Sequence, residues 1–176
     1  MTIKGKHIYI TSCTVQRHLV ELFYAFSQME IKNLVFFSKN LTLTRQREYL
    51  SRMEESPTDH LFVIKEIETE QLVGTIGLHE HDVHHNNIRY GGMVFPGYKG
   101  KGYGYEATKL ILGYAFNELK VNKVYINAFP TNDSLIALCA KLCFRFDGIL
   151  REHYFLNGKY HDMYHFTKLR KEWKNE

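Results

Sequence analysis

The sequence predicts an α+β fold, a mixed and mostly antiparallel sheet of about seven strands flanked by about four helices. Three observations lead to this prediction. Short apolar or alternating stretches, typical of strands, recur along the chain between turn residues. Longer stretches repeat apolar residues at three- and four-residue steps, as amphipathic helices do. Two pairs of successive strand stretches are joined by short polar turns, as antiparallel hairpins are.

The predicted elements follow from these periodicities. Strands are predicted at residues 7–11, 61–64, 71–78, 87–95, 123–129, 144–156 and 159–169. Helices are predicted at residues 15–29, 41–55, 103–119 and 134–142. Thr14 and Thr42 stand where the first two helices begin, and both are expected to act as N-caps. Residues 31–40 are apolar without a clear period, which fits a short helix or a loop over a pocket.

Turn and glycine signals fix how the strands are joined. Polar residues 66–70 connect two strand stretches into a hairpin. Asn157-Gly158 is a strong signal for a type I′ turn, so the last two strands should form a second hairpin. Gly91-Gly92 lies inside a predicted strand, and paired glycines there indicate a bulge or the close approach of another group.

A glycine-rich loop stands between a strand and a helix in the middle of the chain. Met93 to Phe95 ends a buried strand, Pro96 to Gly102 forms the loop, and an amphipathic helix begins at about Tyr103. The first N–H groups of a helix have no partner within it, and the helix dipole is positive at that end. Glycines allow the backbone to approach an anion closely. The stretch therefore predicts a phosphate-bearing ligand on the N–H groups of residues 99–105, with added charge from Lys99 and Lys101.

Known phosphate loops fit this stretch unequally. The Walker loop needs Ser or Thr after Gly-Lys, and Gly102 stands there. The dinucleotide fingerprint needs glycine where the chain has Tyr105. The run Lys99-Gly-Lys-Gly-Tyr-Gly104 matches the Q/R-x-x-G-x-G/A pyrophosphate loop of GNAT-type N-acetyltransferases, with Lys99 in place of Gln or Arg. A plain glycine-rich turn is the alternative interpretation of this stretch alone.

Two further blocks resemble the same superfamily. Lys123 to Phe144 is similar to its next strand and helix, with Asn132 and Lys141-Leu142-x-Phe144 matching. Asp147 to Asp162 looks like the C-terminal hairpin of the branch that includes ribosomal-protein and spermidine N-acetyltransferases. The resemblance implies a splayed parallel strand pair and acetyl-CoA as co-substrate. The cofactor-binding residues that it implies are Met93, Val94, Phe95, Lys99, Gly100, Lys101, Gly102, Tyr103, Gly104, Tyr105 and Asn132.

The resemblance also implies direct attack of an amine on acetyl-CoA, with the thioester carbonyl held by a backbone N–H near Val94. Glu80 is the first candidate for the general base, and the alternatives are His79, His81, His84 and His85. Many family members carry a tyrosine acid at the position of Cys139. The leaving thiolate could take its proton from Cys139, from Ser134 or from water, and Cys139 could equally be a small buried residue.

The histidines lie in a polar connector predicted at residues 80–87 and just before it. They could offer nitrogen ligands, but no cysteine or second cluster completes a zinc spacing. No metal is therefore expected, and a surface loop rich in histidine is the preferred interpretation.

Composition limits the classes of protein to which the chain can belong. A chain of 176 residues with 44% apolar and 24% charged residues fits one domain over residues 1–176. A net charge of +4 suits an anionic cofactor, but there is no nucleic-acid-binding pattern. No apolar run is long enough to span a membrane. Three cysteines are too few for a disulfide framework, which favours a reduced, cytoplasmic protein. A homodimer is one arrangement of the protein that the sequence allows.

The sequence thus favours an acetyl-CoA-dependent N-acetyltransferase acting on a primary amine, either a protein N-terminus or a small molecule such as a polyamine. A polyamine would require a strongly acidic pocket, and a peptide would require an open groove. One alternative is a catalytically silent domain that binds or senses acyl-CoA, because the usual tyrosine is missing. A second is a nucleotide-binding module that uses the same loop.

Overall fold

The computed structural model describes residues 1–28 and 41–174. The strands are β1 (Thr2–Lys4), β2 (Ile8–Ser12), β3 (His60–Glu66), β4 (Leu72–Asp82), β5 (Asn87–Val94), β6 (Lys123–Ala128), β7 (Arg145–Leu156) and β8 (Lys159–Leu169). The α-helices are α1 (Val15–Ser27), α2 (Leu43–Glu55), α3 (Tyr103–Gly113) and α4 (Asp133–Lys141). Short 3-10 turns at Pro96–Tyr98 and Arg170–Glu172 and a π-helical turn at Tyr114–Glu118 complete the described elements.

One open sheet joins all the described strands in the order β1-β2-β3-β4-β5-β6-β8-β7. Every neighbouring pair is antiparallel except β5 and β6, which are parallel. The predicted mixed sheet and four helices are confirmed, with eight strands in place of about seven. Strand β1 was not predicted, because its three residues are too short to show an alternation.

The parallel pair β5 and β6 separates after its first residues. Their pairing runs from Asn87↔Lys123 only as far as Arg89↔Tyr125. Beyond that point β5 stays paired with β4 to Val94, and β6 stays paired with β8 to Ala128. The two strands therefore diverge, and the peptide groups along both inner edges are released from sheet pairing.

Apolar residues pack on both faces of the sheet. On one face, Leu78 and Tyr90 join the buried residues of α3 and α4, such as Ile111 and Cys139. On the other face, Val63 and Phe95 join the buried residues of α1 and α2. Because side chains alternate along a strand, neighbouring residues of β5 face different helix layers. The separation of β5 from β6 thus lies between these two layers.

Several boundaries differ from the predicted ones. Strand β4 runs to Asp82, so Glu80 lies within a strand and not in a connector; the connector is only residues 83–86. A bulge at this point, with a φ of 55° at Glu80, hides the strand period. The helix from Tyr103 continues to Glu118, but its last turn is π-helical. The predicted stretch 31–40 and the end of the first helix at Met29 lie outside the described residues.

The two predicted N-caps differ in their chemistry. The Thr42 hydroxyl accepts a hydrogen bond from the Arg45 N–H at 3.2 Å, as expected. Thr14 occupies the N-cap position of α1, but its buried hydroxyl has no partner. The Val15 N–H instead donates to the Glu54 carboxylate at 3.0 Å, so α2 caps α1. The type I′ turn is confirmed, with φ values of 52° and 81° at Asn157 and Gly158.

Candidate active site

The separation of β5 from β6 opens into a large cleft. Its volume is about 1830 Å³, well above the roughly 300–1,000 Å³ of common ligand pockets. The glycine loop and the start of α4 line one part, including Lys99, Gly102 and Ser134. Helix α2 and the β4–β5 surface line another part. The cleft therefore has room for two ligands that meet at the diverging strands.

The glycine loop places the start of α3 at the edge of this cleft. Gly100 and Gly102 have φ values of +81° and +85°, a conformation that other residues adopt only with strain. The first helical hydrogen bond runs from the Glu106 N–H to the Gly102 carbonyl at 3.1 Å. The preceding N–H groups, those of Tyr103, Gly104 and Tyr105, therefore have no acceptor within the helix. Such a helix start attracts phosphate.

The two loop lysines point in different directions. Lys99 lines the cleft. The Lys101 ammonium lies 3.7 Å from the Glu66 carboxylate and over the rings of Tyr98 and Tyr103. The Tyr103 hydroxyl donates to the same Glu66 carboxylate. Lys101 and Tyr103 thus anchor the loop to β3 through their side chains, which leaves their backbone N–H groups for a ligand.

The last residues of β5 turn peptide groups toward the opening. The Phe95 N–H donates to the Val73 carbonyl at 2.9 Å, on the β4 side. Because peptide groups alternate in direction along a strand, those of Val94 and Gly92 point to the β6 side, where pairing has ended. Met93 and Val94 line the cleft. Phe95 does not, because it is buried against Phe26 at a ring distance of 5.6 Å.

Helix α4 presents two of its predicted residues to the cleft and buries the third. Asn132 caps the helix, accepting the Leu135 N–H at 3.2 Å, and it lines the cleft with Ser134. Cys139 faces the core and is fully buried. Burial raises the pKa of its thiol to about 12, so the thiolate form is unfavourable there. The position of Cys139 favours the packing interpretation over the acid role.

Glu80 and Arg89 form a bidentate ion pair across the β4–β5 ladder. The carboxylate oxygens accept from Arg89 Nε at 3.0 Å and from Nη2 at 2.8 Å. The hydrogen bond from Arg89 outweighs burial and holds the pKa of Glu80 below its usual range. Glu80 lines the cleft, but both of its oxygens are engaged. A carboxylate in this state is a weaker proton acceptor than an unpaired one.

His79, next to Glu80, is oriented by a buried carboxylate. Its Nδ1 lies 3.1 Å from Oδ1 of Asp59, and both side chains are mostly buried. Burial would raise the pKa of Asp59, but hydrogen bonds from Ser56, the Glu80 N–H and His79 hold it below its usual range. Burial and the Arg89 cation lower the pKa of His79 more than Asp59 raises it. His79 is therefore neutral at physiological pH.

The other histidines of the same stretch lie apart from this pair. His81 is 3.4 Å from the side chain of Asn86. His85 is exposed and lies 2.8 Å from the Asp82 carboxylate, with His84 against its ring. Within residues 1–28 and 41–174, no three metal-ligating side chains converge to hold a metal ion.

Gln46 on α2 is a cleft residue that the sequence analysis did not select. It is 1% exposed, and neither its amide nitrogen nor its amide oxygen has a hydrogen-bond partner. Asp59 was also missed, because a single aspartate before a strand carries no motif. Among the aromatic residues of the last hairpin, Tyr154 borders the cleft, whereas Phe155 and Tyr160 are exposed and pack on each other.

Comparison with known proteins identifies the class. A family model described as acetyltransferase (GNAT) domain matches residues 11–145, which is more than half of the 176 residues. The chain therefore belongs to the GNAT acetyltransferases, a family of acyltransferase enzymes that use acetyl-CoA. Among the described residues, no helix combines the length and apolar character needed to cross a membrane.

Particular relatives fall in the branch that the motifs indicated. The Bacillus subtilis protein named "Putative ribosomal N-acetyltransferase YdaF" is 31% identical over 105 residues, which cover 60% of this chain and 57% of that protein. Spermidine N(1)-acetyltransferase of Escherichia coli K12 is 32% identical over 90 residues, covering 51% and 48%. The chain thus spans about half the length of these relatives.

Solved structures share the fold over nearly the whole chain. A crystal structure described as a probable acetyltransferase superposes with a TM-score of 0.85 at 24% identity, covering 98% of this chain and 99% of that one. Spermidine/spermine N-acetyltransferase SpeG from Vibrio cholerae, solved with manganese ions, gives 0.78 at 20% identity and 94% coverage of both chains. At these identities the likeness establishes the fold alone.

Proposed function

We propose that this protein transfers the acetyl group of acetyl-CoA to a primary amine. The observation that carries the proposal is the divergence of β5 from β6 beside the helix start at Gly102–Tyr103. A pyrophosphate on the first N–H groups of α3 would direct the rest of the cofactor into the opening. Met93, Val94, Lys99 and Asn132 line the path that it would follow.

The opening also supplies a place for the reacting thioester. An N–H from the released edge of β5, at Gly92 or Val94, would donate to the carbonyl oxygen as it gains negative charge. Such a donor is held by the sheet, so it needs no reorganisation during the reaction. The Ser134 hydroxyl, exposed at the start of α4 and facing the cleft, would donate to the departing thiolate. Cys139 takes no part in this proposal.

The charge of the cleft favours a peptide amine over a polyamine. Among the residues that the structure describes, the charged ones that line it are cationic Arg45, Arg52, Arg89, Lys99 and Lys123 and acidic Asp59 and Glu80. Both acidic groups are already engaged, by His79 and by Arg89. A polyamine carries several positive charges and would meet this surface unfavourably. A protein or peptide N-terminus carries one charge at most on its reacting end.

Gln46 adds a second reason for a peptide acceptor. Its buried amide offers a donor and an acceptor, and each unpaired group has a cost of about 1–3 kcal/mol. A peptide group of the acceptor could pair with both at once, because it also carries one donor and one acceptor. A polyamine offers only donors when it is protonated, so it could satisfy only half of this amide.

Calorimetric titration with acetyl-CoA, followed by thiol release against two acceptor classes, tests the proposal. Short peptides with a free N-terminus and an amidated C-terminus are compared with spermidine at equal concentration. Binding with faster release on peptides is the expected result. Faster release on spermidine would leave the acetyl transfer intact and overturn the acceptor class. Tighter binding of ATP or NAD than of acetyl-CoA would favour a nucleotide module, and binding without any release would favour a sensing domain.

A further inference from the structure

We propose that His79 is the general base that deprotonates the acceptor amine and that Asp59 is the residue that positions it. This inference rests on the proposed acetyl transfer and assigns one step of it. Glu80, the base expected from the sequence, is then a residue that tunes the site through Arg89. A carboxylate lies beside Nδ1 of the His79 ring, and two glycines lie beside Nε2.

The carboxylate of Asp59 fixes which ring nitrogen carries the proton. Oδ1 lies 3.1 Å from Nδ1 of His79, and an ionised carboxylate can only accept hydrogen bonds. Nδ1 therefore donates, and in the neutral ring Nε2 keeps its lone pair. Asp59 is itself held by the Ser56 hydroxyl at 2.7 Å and the Glu80 N–H at 3.3 Å. A base oriented by a third, fixed group is a recurrent catalytic arrangement.

Gly77 makes room for the ring, and Gly91 lies beside the ring on the paired strand. Gly77 on β4 pairs with Gly91 on β5. A Cβ atom at Gly77 would lie 2.7 Å from Nε2 of His79, and one at Gly91 would lie 3.5 Å from it. The Nε2 corner of the imidazole therefore lies beside both glycines, and His79 lines the wall of the cleft. Of the two β5 glycines that indicated a close approach from the sequence, Gly91 faces His79 at an ordinary contact distance. A Cβ at Gly92 would lie 3.1 Å from Cγ1 of Ile76.

This position brings Nε2 close to the proposed acetyl site. Gly91 directly precedes Gly92, the first residue after the β5–β6 pairing whose peptide group faces the opening. The His79 ring thus lies beside Gly91, the immediate neighbour of the residue whose N–H is proposed to bind the carbonyl. An amine between the ring and this N–H would have its nitrogen near Nε2 and its attack directed at the thioester carbon.

The charges around His79 keep it ready to accept a proton. Arg89, across the ladder, disfavours the imidazolium, and Asp59 and Glu80 favour it. His60 on β3 and His81 on β4 interact electrostatically with each other, and His79 acts on His60. Tyr49 of α2 and Tyr125 of β6 also face this group, and each interacts with Arg89. Burial adds to the effect of Arg89, so His79 stays neutral near neutral pH.

The proposed step transfers one acetyl group to the amine and releases one CoA thiol. Nε2 takes one proton from the ammonium form of the acceptor, giving imidazolium and a neutral amine. The amine nitrogen forms a bond to the thioester carbon, and the carbon–sulfur bond breaks as the carbonyl reforms. The Ser134 hydroxyl gives its proton to the thiolate and takes the second proton of the nitrogen in exchange, giving an amide and CoA thiol. The imidazolium then returns its proton to solvent.

A pH profile of kcat/KM for wild type, His79→Gln and Asp59→Asn tests the assignment. Glutamine can still donate to Asp59 but does not titrate, so His79→Gln should lower kcat by about 100-fold or more and remove the acidic limb. Asp59→Asn removes a charge that raises the pKa of His79, so the limb should move to lower pH. Acetyl-CoA affinity by calorimetry should stay unchanged in both. His85→Gln, an exposed histidine outside the cleft, is the matched control and should behave as wild type.

Rescue by free imidazole is a second test, for the case in which His79→Gln does not fold correctly. Millimolar imidazole should restore turnover to His79→Ala and should not affect Glu80→Ala. Retained kcat and an unchanged limb in His79→Gln would overturn the role of His79, as would rescue of Glu80→Ala alone. If wild type binds acetyl-CoA but acetylates no amine, the proposed function fails first and the base assignment fails with it.

Discussion

Gly77 and His79, two residues apart on β4, share one space: an added Cβ at Gly77 would lie 2.7 Å from Nε2 and 2.9 Å from Cε1 of the ring. Gly77→Ala should therefore displace the imidazole and lower kcat by about 10-fold or more, while acetyl-CoA affinity stays unchanged. Steady-state kinetics and calorimetry measure the two effects. Gly91→Ala is the control, because a Cβ there would meet the same ring at an easier 3.4 Å. Equal losses in both variants would mean that the strand, and not the ring, is disturbed.

Substitution of Gly102 tests the anion site at the start of α3. Gly102→Glu would place bulk and negative charge beside the proposed pyrophosphate, so acetyl-CoA affinity should fall at least about 100-fold, equal to about 2.7 kcal/mol. Calorimetry measures this loss. Gly158→Glu is a matched control, since its φ of +81° is close to the +85° of Gly102 and both positions have open space. It carries the same backbone strain, and its affinity should remain that of wild type. Retained affinity in Gly102→Glu would count against the loop assignment.

Substitutions of Glu80 and of Arg89 should shift the pH profile of kcat/KM in opposite directions. Arg89 lowers the pKa of His79 and Glu80 raises it. Arg89→Met should therefore move the acidic limb of kcat/KM to higher pH, because the imidazolium becomes easier to form. Glu80→Gln should move the limb to lower pH. If Glu80 were the base, Glu80→Gln would instead abolish the limb and lower kcat, so the direction of the shift separates the two roles.

Gln46→Leu should have opposite effects on stability and on acceptor binding. Leucine removes two unpaired buried polar groups, so the free energy of unfolding should rise by about 1 kcal/mol. The same change should raise KM for a peptide acceptor about 3- to 10-fold through lost hydrogen bonds. Urea unfolding and steady-state kinetics test the two effects. A gain in stability without any change in KM would leave Gln46 as a structural residue.

Glu106 should stabilise the protein in a pH-dependent way. Its carboxylate accepts hydrogen bonds from the N–H groups of Lys6, His7 and Ile8. Burial would raise the pKa of Glu106, but these bonds outweigh it and lower the pKa from 4.5. Because the folded pKa is the lower one, the stabilisation is full above the unfolded pKa and is lost as pH falls through the folded one.

Glu106→Gln should therefore cost about 1.5–3 kcal/mol in unfolding free energy near pH 7, and the gap from wild type should close as the pH falls from 4.5 through the folded pKa. Urea unfolding across this range measures the gap. Glu118→Gln, an exposed glutamate at the end of the same helical stretch, should show no comparable gap. A gap that stays constant with pH would mean that the carboxylate charge is not what stabilises the turn.

Much of the fold followed from local signals, because period and turn chemistry are short-range. The Asn157-Gly158 hairpin and the Thr42 cap were both predictable in this way. Strand β4 was cut short because a bulge at Glu80 reverses the alternation, and a bulge is set by the partner strand. Periodicity in one segment cannot report what the opposite strand imposes.

The candidate site was likewise predictable only where local sequence signals specify it. The loop at Lys99–Gly104 was visible because backbone chemistry needs glycines at fixed spacing. Asp59 and Gln46 were not, because each acts through a residue distant in sequence or through burial alone. Glu80 was selected by its place along the chain, and its pairing with Arg89 depends on strand register. Cys139 lies where the family pattern put it, but the direction of its side chain needed the fold.

Strand β5 carries the proposed acceptor chemistry near Arg89 at one end and the cofactor contacts at Val94 at the other. Side chains and peptide groups both reverse with every residue of a strand. The loss or gain of one residue between these ends would turn every following side chain of the strand to the opposite face of the sheet. The number of residues in this segment is thus constrained. A substitution within it disturbs the site far less than the insertion or deletion of an odd number of residues.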